Sequence, residues 1–220
     1  MHRVRRGVIL ISLSVAVLTS ALATSATAAS APPRGVLTKV EYEQLNASYK
    51  AIKQAGKQRG TPTHVARHAC RPLTNVSRLM SAEHAECEAS LIFSYNFFVF
   101  PYLVQHCEKG STTTARVRCV LAALNSFGKA ARAFIRTNAA SVRAADPRHF
   151  TRRCLDYLIF TPQQAKTTRA LAHGLTRYAA AIRAGSSGPI SSAGTRLDSE
   201  LVASRQAMSF PITPSACPHQ

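Results

Sequence analysis

Acidic side chains are scarce in this chain: Asp and Glu number 10 among 220 residues, against 28 Lys and Arg, for a formal charge of +18. So few carboxylates cannot pair the basic groups internally, and the uncompensated field reaches into solvent and attracts anions. Glycosidase-type chemistry needs two acids at one cleft, and here the acids are mostly scattered. Other catalytic signatures are missing too. There is no Gly-x-Ser-x-Gly elbow, no His-Glu-x-x-His pair, no phosphate-binding glycine loop and no Cys-x-x-Cys-His haem attachment run. No segment shows a run of strand alternation, which argues against a sheet. No apolar run reaches the roughly 20 residues of a confident membrane span. The sequence leans away from an enzyme, and no catalytic residue, metal or cofactor is expected.

The N-terminus carries a positive signal. Met1 to Arg6 is a short basic start, Gly7 to Leu22 is mostly apolar, and Ala26-Thr27-Ala28 has the small-x-small pattern of a signal-peptidase site. This reads as a secretory signal peptide over residues 1–28, cleaved after Ala28, which makes the protein secreted or extracellular. The mature part, 29–220, keeps 25 basic and 10 acidic residues. Its length fits a single domain able to bury roughly 70% of its unfolded surface. Residues 29–36 read as a flexible flank and 210–220 as a tail.

Helical periodicity marks five segments. In 38–56, Thr38-x-x-Glu41 is a capping box and Tyr42, Leu45, Tyr49 and Ile52 form one seam. Residues 57–74 read as a connector. The second helix is expected from Asn75 to Cys107, kinked or split by Pro101. Its middle, Leu91 to Val104, is apolar on nearly every face, and six of its fourteen residues are aromatic, so a strand is the alternative there. The third helix is expected over 114–144, with Val117, Val120, Leu121, Leu124, Phe127, Ala131, Phe134, Ile135 and Val142 within an apolar arc of about 140°. Thr161-Pro162 reads as cap and first turn of a fourth, reaching Ala184 along Leu171, Leu175, Tyr178 and Ile182. Residues 185–189 read as a loop, and a fifth helix follows over 192–208, with Leu197, Leu201 and Met208 on one side. The fold class expected is all-α: an antiparallel bundle of about five helices, stapled by disulfides.

The disulfides follow from an even cysteine count behind an export signal. Cys107 and Cys119 sit almost symmetrically about the turn between the second and third helices, so an antiparallel hairpin brings them level. A fifth helix antiparallel to the fourth returns Cys217 towards Cys154. Cys70 and Cys87 remain for each other.

Charge supplies the candidate site. On the third helix Arg118, Lys129, Arg132, Arg136 and Arg143 fall within about 60° of one another on the helical wheel. On the fourth, Lys166, Arg169 and Arg177 gather with His173 within about 80°. From Thr114 to Arg183 there are thirteen basic residues and only two acids, Asp146 and Asp156. These stripes suit an anionic polymer, such as an acidic wall polymer, or an anionic membrane surface. Nucleic acid ranks last, for want of a reading motif. The alternative is a carrier or enzyme for an apolar small molecule, with an aromatic pocket around Phe93 to Tyr102. His64, His68 and Cys70 have suggestive spacing, and Glu83, His84, Glu86 and Glu88 cluster, but neither set completes a metal motif.

Overall fold

The computed structural model describes residues 35–55, 60–145, 150–151, 154, 162–207, 215 and 217–219. The expected signal peptide, the Thr161 cap, the segment from 152 to 160 apart from Cys154, and Met208 lie outside them. The described residues form six α-helices and no strand. They are α1 (Lys39–Ala55), α2 (Pro62–Cys70), α3 (Arg78–Glu108), α4 (Thr113–Ala145), α5 (Pro162–Ala184) and α6 (Ser187–Ala207).

The capping box forms as written in the sequence. Thr38 N–H donates to Glu41 Oε2 at 2.9 Å, and Glu41 N–H donates to Thr38 Oγ1 at 3.3 Å. Glu41 also accepts from the Ser77 hydroxyl at 2.6 Å, and Ser77 caps α3 by accepting from Met80 N–H at 3.2 Å. One carboxylate therefore ties together the starts of two helices. Of the expected α1 seam, Leu45 is buried while Tyr42, Tyr49 and Ile52 are half-buried.

Helix α2 corrects the reading of residues 57–74 as a bare connector. Thr61 accepts from His64 N–H at 3.3 Å, and Pro62 occupies the first turn, where its missing N–H costs nothing. Gly60-Thr61-Pro62 does not just end one helix; it starts the next. The buried face of α2 is built from the small residues Ala66, Ala69 and Cys70, which give too faint an apolar period to see. Two further boundaries move. Helix α3 runs unbroken through Pro101, which is exposed. Gly188 and Pro189 fall in the first turn of α6, so only Gly185 and Ser186 separate α5 from α6. Gly185 takes a left-handed φ of 74° and its N–H reaches back to Ala181 and Ile182 carbonyls at 3.2 Å, closing α5.

Register shows how neighbouring helices pair. Along α3 and α4, Cys107 meets Cys119, Phe100 meets Phe127, Phe93 meets Phe134 and Glu86 meets Asn138. As one number falls the other rises, so the two helices run antiparallel. Helices α5 and α6 do the same: Arg177 pairs with Glu200, and the Ser204 hydroxyl donates to the Thr167 carbonyl at 3.3 Å. Phe93, Phe97, Phe100, Phe127 and Phe134 anchor the larger apolar core, joined by Leu171, Leu175 and Leu197 from α5 and α6. A smaller core holds Leu37, Leu45, Met80, Cys154 and Cys217. There the tail returns, with Leu37 N–H bonded to the Pro218 carbonyl at 2.9 Å and Tyr42 stacked on His219.

All six cysteines are paired: Cys70–Cys87, Cys107–Cys119 and Cys154–Cys217, with Cα separations of 5.9, 5.4 and 4.4 Å. These are the three pairs expected from the sequence, of which the hairpin argument requires Cys107–Cys119. Intramolecular disulfides of this kind are compatible with an extracellular protein. Peptide mapping under non-reducing conditions should recover these three linked pairs; Cys107 joined to any other cysteine would contradict the α3–α4 hairpin.

Candidate functional site

Every basic residue singled out from the sequence lies on the surface. Arg118, Lys129, Arg132, Arg136 and Arg143 are exposed along α4, and Lys166, Arg169 and Arg177 along α5. They do not converge on one point. Arg118 and Arg143 are 25 residues apart on a continuous helix, about 37 Å at 1.5 Å per residue. The α4–α5 register, with Arg183 bonded to Asn125, places Lys166 and Arg169 towards the Arg143 end. Arg177 differs from the rest, because its guanidinium pairs with Glu200 of α6, which Arg196 also approaches at 3.6 Å. The other seven make no ion pair with a described residue.

Where α4 crosses α5, a shallow cleft of about 310 Å³ opens between Arg132 and Arg183. Its floor is Leu124, Leu175 and Ala179, and its polar edge is Asn125 and Thr176. Gly128 explains the local shape: a Cβ there would lie 3.3 Å from Arg132 Nη1, so its absence lets the guanidinium fold back over the helix. Arg183 Nη2 donates to Asn125 Oδ1 at 3.5 Å. Two guanidinium groups without a carboxylate partner among the described residues make this a spot that attracts anions. Arg183 lies outside the sequence stripe, because on the wheel of α5 it falls about 80° from the middle of the other basic residues. Only the packing of α5 on α4 brings it opposite Arg132.

The aromatic stretch splits in two. Phe93, Phe97 and Phe100 are buried and pack on Phe127 and Phe134, with centroid distances of 5.3–6.0 Å. Tyr95, Phe98 and Tyr102 are exposed. A stretch that is apolar on nearly every face is thus buried on only one side, and the buried rings fill the α3–α4 interface rather than lining the cleft.

Two carboxylates are buried with them. Glu83 and Glu86, one turn apart on α3, face Asn138 and Ser141, one turn apart on α4. Asn138 Nδ2 donates to Glu86 Oε1 at 3.0 Å. Burial pushes Glu83 well above the usual carboxylate range, and the neighbouring Glu86 raises it further, although Ser141 draws it down. Burial likewise pushes Glu86 up to about 7, against the opposing pull of Ser141 and Asn138. The Ser141 hydroxyl lies near both carboxyl groups without full hydrogen-bond geometry to either. Lys and Arg are absent from this described contact set, which favours the protonated acids.

The histidine clusters resolve differently. Cys70 is committed to a disulfide, and His64 and His68 are exposed on α2. One ring nitrogen of His84 meets the Leu73 carbonyl at 2.6 Å, and the other lies 3.4 Å from Glu88. Among the described residues no three His, Cys, Asp or Glu side chains come together as a metal site. Comparisons with protein-family models, curated proteins and solved structures find no match to this chain.

Proposed function

We propose that this chain is a secreted, disulfide-stapled antiparallel helical bundle that associates, without catalysis, with an anionic surface or polymer through α4 and α5. The observation that carries this reading is that, Arg177 apart, the stripe residues have no ion-pair partner among the described residues. Seven exposed basic residues along two adjacent helices make no ion pair with a described residue, so their attraction is directed outward. Export supports the reading, because cell-wall polymers and lipid headgroups at the cell exterior are rich in phosphate and carboxylate.

Charge reversal tests it. Arg132→Glu with Arg136→Glu should leave the thermal melt within about 0.5 kcal/mol of the parent, since both side chains are exposed. Each basic group close to an anionic surface contributes about 1 kcal/mol, so reversing two should weaken binding to heparin at low salt by roughly tenfold or more. Binding of the parent should itself fall steeply as salt rises. A double variant that unfolds would place the stripe in the core, and one that binds heparin undiminished would remove it from the interface.

A further inference from the structure

We infer that the outer face of α3 seats the protein on an anionic lipid bilayer, a conclusion that rests on the anionic-surface reading and selects lipid over soluble polymer. Phe98 is 64% exposed and Tyr102 72% exposed, with Tyr95 at 45% one turn earlier. Steps of three and four residues put the three rings within about 60° of arc on one side of the helix. Solitary exposed aromatics are ordinary, but a row of them on one helix face marks an interaction surface.

Charge identifies the occupant. The same arc continues through His106 to Lys109, and the exposed Arg116 at the start of α4 bonds back to this end of α3, its Nε donating to the Gly110 carbonyl at 2.8 Å. The nearest acids are Glu88, which His84 approaches at 3.4 Å, and Glu108; none occurs between them. A second copy docked on this face would bring like charges together, whereas an anionic bilayer gains from Lys109 and Arg116. A soluble acidic polymer offers nothing to the rings, while Tyr and Phe are at home at the boundary between headgroups and acyl chains. Helix α3 is the one described helix long and apolar enough to cross a membrane by length and composition. Its opposite face, however, is taken up by Phe93, Phe97 and Phe100 against α4, so only one face is available to lipid. That geometry belongs to a helix lying in the interface plane.

The disulfide-intact protein can be tested on phosphatidylcholine vesicles with and without phosphatidylglycerol. The chain has no tryptophan, so Phe98→Trp gives a single reporter on the face. Its emission should shift to the blue on the anionic vesicles and not on phosphatidylcholine alone. Phe98→Ser with Tyr102→Ser should keep the parent melting temperature and heparin affinity, and lose roughly tenfold or more of vesicle binding. Undiminished vesicle binding by the double serine variant, or an unshifted reporter, would overturn the inference and leave the anionic-surface reading intact. So would a parent that is dimeric, ignores vesicles and becomes monomeric in the serine variant, since a second copy would then occupy the face. A parent that binds neither heparin nor vesicles overturns the broader reading instead.

Discussion

Phe93→Ala should lower the unfolding free energy by about 3–5 kcal/mol. The side chain is 1% exposed and its ring lies 5.3 Å from Phe134, 5.8 Å from Phe127 and 6.3 Å from Phe97. Truncation removes the buried apolar area, breaks three ring contacts and leaves a hole bounded by other rings that cannot close without leaving their rotamers. The neighbouring Phe98→Ala is the control, because that ring is already in water and its removal should cost within about 0.5 kcal/mol. Urea unfolding at fixed pH, with disulfides intact, reads both. Equal losses at the two positions would mean that α3 is rotated from the orientation described.

That pair of residues also shows what the sequence could and could not disclose. Leu91 to Val104 is so apolar that its periodicity is nearly erased, and no wheel separates Phe93 from Phe98 as inner and outer. On α4 the polar and apolar faces are distinct: of the expected apolar face Leu124, Phe127, Ala131 and Phe134 are buried and Val120, Leu121, Ile135 and Val142 half-buried, while Val117, in the exposed first turns, faces solvent. The disulfide pairing was legible for a similar reason: a short turn between two long helices forces Cys107 and Cys119 level whatever the packing details. Helix α2 was not, because its buried residues are alanines and a cysteine, whose weak hydrophobic contrast hides behind the Gly60-Thr61-Pro62 punctuation. Within the candidate site, the exposure of Arg132 and Arg136 could be read from one helix alone. Opposing Arg132 to Arg183 required two helices in contact, information that no single periodic pattern contains.

The buried carboxylates carry the second large effect: stability should fall as pH rises through neutrality. In the unfolded chain Glu83 and Glu86 titrate near the ordinary value of 4.5, whereas in the folded protein burial holds Glu86 to about 7 and Glu83 well above the ordinary value. Between those limits the folded state binds more protons than the unfolded one. The stabilisation is therefore complete below about 4.5 and is lost as pH climbs through about 7. For Glu86 the gap corresponds to about 3 kcal/mol, and Glu83 acts in the same direction. Histidine protonation adds positive charge to an already basic chain at acid pH, so the bare pH profile mixes two opposed trends. The difference between parent and Glu86→Gln isolates the carboxylate. Glutamine is neutral at every pH and keeps an oxygen to accept from Asn138 Nδ2, so the variant should match the parent near pH 4.5 and exceed it increasingly towards pH 8.5. Urea midpoints across that range decide the matter: parallel profiles would show that Glu86 ionises without cost, and would place water or a cation beside it in the folded state.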